Sequence, residues 1–508
     1  MSTRSEAGSA PTVEDRRLHP LSWLFVLLQQ LRSFAVPLVL LLVTGRGGSG
    51  AEWYGLIGVV GLTVVSVAQY FTFRYRTDAE GFVIRSGVLQ RNRRDIPYER
   101  VHTVNLHQTL LHRLFGVTEV RLESAGSKQA EAVMRVLSIE DARALESFLR
   151  EQGVLRRSAQ DPAAAAALAD VAEVPLLALG TAEVVRLGLI SNRGMVVIAA
   201  GVGALWQLVG DRLSTDLVPT SIMTIVADAG QFVTGHLHDT AVLALSAAVL
   251  LAILLAIVRV LSVLLALLQY HGFSLVEVGP QLRVERGLLT RVRHQLPRRR
   301  IQAWRIDETL LHRWFGRQGL RVDSAAGGEG DEHAIRHLAP VAPAATVTRL
   351  LQRLIGQGVW PVAEWRAVHP AAWRRLFVVP SVGVVAATAV ATWQFGWTAL
   401  ALLGIIPLLV YRARRLARLA GYAIASYSVL VREGWLNRRW GIVDIRKVQA
   451  LRLTASPLDR RHGMATLWLD SAGAGATEGV LRVRFLPMAD AQALYDRLMR
   501  MMDAERAA

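Results

Sequence analysis

From Ala241 to Tyr270 the chain runs for thirty residues with a single charge, Arg259. A bilayer core about 30 Å thick is crossed by about 20 apolar helical residues, so this stretch predicts a membrane span with length to spare. Comparable runs occur in pairs. Leu21–Val43 and Trp53–Phe71 flank the turn GRGGSG, Leu187–Val209 precedes Ala241–Tyr270, and Leu376–Phe395 is followed almost without a loop by Trp397–Tyr411. Six transmembrane helices in three hairpins are therefore expected. The composition agrees, with 52% hydrophobic and 19% charged residues and a mean hydropathy of +0.31 over 508 residues. Because Ala241–Tyr270 exceeds the bilayer thickness, Arg259 is expected at the inner headgroups or snorkelling to them, and Arg32 in the first span reads the same way.

The net charge of +17 rests on arginine, since Lys128 and Lys447 are the only lysines. In a chain with spans, such an excess reads as retention of arginine on the cytoplasmic side, and nucleic acid is not expected as a partner. The loop Asp211–Thr240 carries one arginine against four aspartates, whereas RARRLAR, WRR and EDRR flank the spans on the other side. Both termini and all large polar segments are thus expected in the cytoplasm of a bacterial cell, below a multi-pass inner-membrane anchor. No cleavable signal peptide is expected ahead of the first run. With no cysteine, disulfides, thiolate metal sites and a cysteine nucleophile are excluded.

A repeat underlies the polar segments. TLLHRLFG at Thr109–Gly116 returns as TLLHRWFG at Thr309–Gly316, and at this offset of 200 Gly87, Pro97, Arg100 and ESAG meet Gly287, Pro297, Arg300 and DSAA. A third copy aligns at 347 from the first, matching Gly434 to Gly87, Lys447 to Arg100, Gly463 to Gly116 and DSAG to ESAG. There the phrase reads SPLDRRHG, with Asp459 where His112 and His312 stand, which argues against a shared catalytic histidine. Stretches such as FVIRSGVLQ and VTEVRLES alternate apolar and polar residues and predict antiparallel strands. Each copy then closes on an amphipathic helix, as in SIEDARALESFLREQG, where Ser138 and Asp141 are placed as a cap and Leu145, Phe148 and Leu149 share a face. In TLLHRLFG, Leu110, Leu111 and Phe115 are expected to fill core, with Gly116 supplying backbone freedom.

Paired spans, each followed by a strand-rich unit with G-x-L, (I/L)P, TLLHRxFG and (E/D)SA in that order and a closing helix, resemble the bacterial membrane-anchored pleckstrin-homology-like family of the YdbS and YdbT type, above all its long members with three units. LHPLSW, LISNRG and VHPAAW look like the openings of the three hairpins. The resemblance implies a PH-like curved antiparallel sheet of seven strands, barrel-like and capped by a C-terminal helix, in each unit. It implies no catalytic residues and an association with envelope stress or antimicrobial resistance. The expected fold is an α+β membrane protein divided into a tail (1–20), hairpin 1 (21–71), PH-like unit 1 (72–155), an amphipathic linker (156–186), hairpin 2 (187–270), unit 2 (271–358), a linker (359–375), hairpin 3 (376–411) and unit 3 (412–508).

Phosphate loops, HExxH, GxSxG and EF-hand loops are absent, so neither an enzyme nor a cofactor is expected. His236 and His238 beside Asp239, and His333 and His337 beside Asp331 and Glu332, read as loop residues, and no metal is expected. The recurring chemical feature is basic. Arg91, Arg93 and Arg94 in the first copy, Arg291, Arg293, Arg298, Arg299 and Arg300 in the second, and Arg438, Arg439, Arg446 and Lys447 in the third follow the first glycine of each unit. Beneath an anionic leaflet each would gain about 1 kcal/mol, enough to orient a unit on lipid or hold an acidic partner. The expected function is a non-enzymatic scaffold binding membrane lipid or a protein, such as a shorter one-unit relative, with oligomers possible. The alternative is a transporter or export-complex component, against which stand unpaired polar residues in the spans and a parallel, not inverted, repeat.

Overall fold

The computed structural model describes residues 16–17, 22–25, 27, five positions between 61 and 68, and then 72–77, 81–87, 91–97, 101–124, 132–148, 173–209, 240–324, 337–471 and 481–507. Most of the first expected hairpin, with Arg32, His236, His238 and His333, lies outside these residues.

Four antiparallel sheets form. The first holds β1 (Arg16–Arg17), β2 (Arg74–Thr77), β3 (Gly81–Ser86) and β4 (Asn92–Pro97) in that order. The next strands are β5 (Val101–Gln108), β6 (Val117–Ser124), β7 (Ala132–Ser138), β8 (Val174–Ala178), β9 (Ser274–Val278), β10 (Gln281–Arg286) and β11 (Arg291–Pro297), and they make one sheet ordered β7-β6-β5-β11-β10-β9-β8. A third sheet, ordered β14-β13-β12-β18-β17-β16-β15, uses β12 (Ile301–Glu308), β13 (Arg317–Ser324), β14 (His337–Pro343), β15 (Arg366–Ala367), β16 (Gly421–Ala425), β17 (Ser428–Glu433) and β18 (Arg438–Asp444). The last holds β19 (Val448–Thr454), β20 (Met464–Ser471) and β21 (Leu481–Pro487).

Each repeat thus has the seven strands expected, as half-sheets of four and three, and the correction concerns closure alone, since the two halves do not join into one sheet within a unit. Every unit keeps its own core between its halves: Tyr75, Ile84, Val104 and Leu122 in the first, Leu275, Leu282, Ile306 and Leu320 in the second, Val429, Leu467 and Val483 in the third. The sheets, however, continue across units. β5 of unit 1 pairs with β11 of unit 2, and β12 of unit 2 pairs with β18 of unit 3. An open strand edge carries unpaired amides and carbonyls, so edge-to-edge continuation satisfies them where a unit alone would not. The segments assigned as tail and linkers also contribute strands: β1, β8 and β15 each precede an expected hairpin and pair with the strand that follows it.

Beyond residue 100, the helices among the described residues are α1 (Leu110–Leu114), α2 (139–148), α3 (Thr181–Ile190), α4 (Arg193–Val209), α5 (Thr240–Tyr270), α6 (Leu310–Trp314), α7 (Ala344–Ile355), α8 (Ala372–Phe395), α9 (Ile406–Leu419), α10 (Pro457–Arg461) and α11 (Met488–Ala507). The closing helices α2, α7 and α11 appear where expected, and in α2 the Asp141 amide donates to Ser138 Oγ at 3.0 Å. Among the described residues three helices are long and apolar enough to cross a membrane: Ala244–Tyr270, Ala372–Gln394 and Gly396–Leu419. The expected span Leu187–Val209 is instead a break. α3 and α4 meet at 58° around Ser191 and Asn192, and would count as a fourth span only taken together. Arg259 explains the break, because its Nη1 donates to the carbonyls of Leu189 and Ser191, each at 3.1 Å, and to Asn192 Oδ1 at 3.0 Å. Its guanidinium caps the end of α3. α4 packs on α5 so closely that a Cβ on Gly194 would lie 2.4 Å from the Val258 carbonyl oxygen. The last span opens as a 3-10 stretch, Gly396–Ile405, and extends to Leu419 instead of Tyr411. Arg414 is held there over the Trp373 ring at 4.9 Å.

Candidate functional site

TLLHRxFG does not fill core in the first unit. Thr109–Gly116 folds as α1 and a turn, with Leu110 50% and Leu114 77% exposed. In the second unit Leu311 and Phe315 do pack against the core, whereas Trp314 is 84% exposed. Gly116, Gly316 and Gly463 take φ of +66°, +63° and +65°, the left-handed turn that glycine allows without strain. The threonine and histidine form a helix cap: the His312 amide donates to Thr309 Oγ1 at 3.4 Å, and the Thr309 amide donates back to His312 Nδ1. In the third copy Asp459 accepts from the Ser456 amide at 3.1 Å, so carboxylate and imidazole serve the same purpose.

The arginine of the phrase reaches out of its own unit. Arg113 Nη1 donates to the Leu288 carbonyl at 2.9 Å in the β10–β11 turn, and Arg313 Nη2 donates to the Leu436 and Trp435 carbonyls at 2.9 and 3.3 Å in the β17–β18 turn. The repeated phrase is the clasp between successive units. In the first joint Glu146 lies 3.5 Å from Arg293 and accepts from Gln295 at 2.6 Å. In the second, Glu308 lies 3.7 Å from Arg438 and Asp307 3.8 Å from Arg439.

These joints decide where the basic clusters fall. Arg291, Arg293, Arg438 and Arg439 sit on strands at the joints, and Lys447 Nζ donates to the Ile301 carbonyl across the second one. Burial pushes the Lys447 ammonium down, with Arg446 and Arg298 adding to the shift and Asp444 opposing it. Arg298 is held by Glu277 at 2.9 Å and the Leu354 carbonyl at 2.8 Å, and Arg446 by Asp444 at 2.8 Å. Arg91, Arg93, Arg94 and Arg299 lie exposed, with Arg93 3.1 Å from Asp95, and Arg300 is half-buried in the short 3-10 turn Arg298–Arg300. The first cluster lies on β4, whereas the second and third approach each other across the second joint, where Lys447 bonds the Ile301 carbonyl and feels the Arg298 charge.

A cavity of about 580 Å³ opens where the membrane helices meet the first joint. α4 supplies Arg193, Val196 and Val197, α5 supplies Leu265, Leu268 and Gln269, the β10–β11 hairpin supplies Arg286, Leu289, Thr290, Val292 and His294, and β5 supplies His107. At ~1.5 Å per residue α5 is about 46 Å long, so a bilayer covers roughly two-thirds of it. Its apolar stretch ends at Tyr270, beside the cavity. Arg193 and Arg286 face the buried Tyr270 ring at 4.9 and 5.1 Å, and Arg193 Nη2 donates to the Tyr270 hydroxyl at 2.8 Å. The walls therefore bring two arginines and two histidines together with a row of Val and Leu, and no carboxylate is among them. Sequence reasoning passed over all four: Arg193 and His107 are remote in the chain from the β10–β11 hairpin. The signal available was LISNRG, which places an arginine directly after the helix break.

Helices able to cross a membrane and repeated half-sheets closed by a helix define a membrane-anchored protein of tandem PH-like modules. The chain belongs to the bacterial PH domain family (bPH_2), which matches residues 24–153, 225–355 and 375–502. It is 23% identical over 472 residues, 89% of this chain and 92% of the relative, to the transmembrane protein YdbT of Bacillus subtilis (strain 168). No solved structure matches it.

Proposed function

We propose that this protein is a non-enzymatic scaffold of the bacterial inner membrane, with its PH-like units on the cytoplasmic side, and that the boundary cavity binds the headgroup of an anionic phospholipid. The supporting observation is the cavity lining, in which Arg193 and Arg286 converge beside Val196, Val197, Leu265 and Leu268 at the end of α5. A phosphodiester matches the guanidinium pair by charge and hydrogen bonding, and its acyl chains match the apolar wall. The exposed arginines Arg91, Arg93, Arg94 and Arg299 would add nonspecific attraction to the same leaflet.

The test is lipid retention. Full-length protein in nanodiscs of phosphatidylcholine with phosphatidylglycerol is extracted, and the lipid that stays bound is identified by native mass spectrometry. Arg193→Ala with Arg286→Ala should lose most of the retained phosphatidylglycerol, whereas Arg438→Ala should keep it. Equal retention by the double variant and the parent would end the proposal.

A further inference from the structure

The two joints are built alike. Each lays the β5-type strand of one unit antiparallel on the β4-type strand of the next, and head-to-tail contacts of this kind leave one open surface at each end of the row. At the leading end that surface is β4, the edge of its sheet among the described residues. Asn92, Arg93, Arg94 and Asp95 are all exposed there, Arg93 at 57% against 28% for its counterpart Arg293 within the first joint. At the trailing end it is β19, where Gln449, Ala450 and Arg452 are exposed, whereas the corresponding β12 is buried along most of its length.

The chain's own two ends do not suit each other. In both joints the basic strand meets carboxylates: Glu146 at Arg293, and Glu308 and Asp307 at Arg438 and Arg439. In the third unit Thr454 and Ala455 stand where Asp307 and Glu308 stand in the second, and, counted from the strand ends Ser138 and Pro487, Tyr495 occupies the place of Glu146. Carrying over the observed register of Ile306 on Trp440 and Arg305 on Gly441 would set Leu453 on Arg93 and Arg452 on Arg94. Like charges directly across a strand pair destabilise it. Neither ring closure nor head-to-tail association of this chain would therefore bring a carboxylate opposite Arg91–Arg93.

We infer that the β4 edge is a docking site for an extended segment of a different polypeptide, added antiparallel to the sheet and bearing carboxylates opposite Arg91–Arg93. Main-chain hydrogen bonds supply the affinity of such strand addition, and the charge pairs set register and partner. The inference rests on the joints and is independent of the lipid reading.

The absence of cysteine allows a clean crosslinking test on the full chain. A second copy of the strand IQAWRIDE, residues Ile301–Glu308, is tethered to the amino terminus by a long Gly/Ser linker, with Arg305→Thr in the tether so that no arginine faces Arg94, Ile306→Cys in the tether and Arg93→Cys in the chain. This strand is the one that fills the corresponding edge in the second joint. Disulfide formation is read in phosphatidylcholine nanodiscs, so failure of the anionic-lipid proposal leaves the measurement untouched. The acidic tether should crosslink at least about tenfold more than one with Asp307→Lys and Glu308→Lys, and at least about tenfold more than a tether copied from Val448–Ala455 with Leu453→Cys. Leu106→Cys with Arg293→Cys, which face each other in the first joint, reports in parallel that each protein is folded. Equal yields from the three tethers, or none from the acidic one in folded protein, would overturn the inference. Efficient crosslinking of Arg93→Cys to Leu453→Cys in the chain without a tether would do so too, by making the occupant this chain itself.

Discussion

In the cap of α6 the Thr309 amide points at His312 Nδ1, so the cap needs that nitrogen unprotonated. Burial holds the His312 imidazole below its ordinary value, while the nearby Asp307 and Glu308 carboxylates pull the other way. The sign follows from linkage: with the folded pKa depressed, the unfolded chain binds the proton more readily. The cap's contribution is complete above the ordinary histidine pKa of about 6.5 and is lost as pH falls through it toward the folded value. Thermal unfolding in nanodiscs should therefore show a loss of stability below about pH 6.5. His312→Gln, which keeps an uncharged acceptor, should flatten that limb, and an unchanged pH profile would count against the cap.

Among the elements, the bent pair α3–α4 owes its shape to one side chain on a third helix. Hydrogen bonds to a charged donor are worth about 1.5–3 kcal/mol each, and removal of Arg259 leaves two backbone carbonyls and an amide oxygen without it. Arg259→Ala should cost at least about 2 kcal/mol in unfolding free energy. Arg259→Lys, a point charge without the planar fork, should recover less than half of that loss. Wild-type stability in Arg259→Ala would show that the break is held by other contacts. The strand pairs obey a different logic. Alternation within FVIRSGVLQ and VTEVRLES sets which side chains face the core, but leaves the identity of the edge neighbour open. That choice lies with Arg113, Arg313 and the carboxylates of the joints.

For the whole molecule, the proposal that all units face the cytoplasm can be checked on the same cysteine-free background. In intact cells a cysteine at Gly328 or Asp444 should stay unlabelled by a membrane-impermeant maleimide until the cells are opened, and one at His236 should label at once. Labelling of Gly328 in intact cells would invert the topology. The end strands bear on assembly in the same way, since a β4 edge that takes another polypeptide implies a row of units that does not continue into a second copy.

How much of this was legible follows from the range of each interaction. Hydropathy over twenty residues and side-chain alternation over eight are local quantities, and they yielded the apolar helices, the strands, the closing helices and the triplicate unit. The left-handed Gly116 belongs with them, whereas the Thr–His cap, although its partners lie three residues apart, went unread because the phrase reads as an apolar turn. The pairing of β5 with β11 and of β12 with β18, the break that Arg259 caps, and the meeting of Arg193 with Arg286 and His107 join residues far apart in the chain. Backbone hydrogen bonds and arginine forks accept many partners of similar chemistry, so only the assembled geometry selects among them.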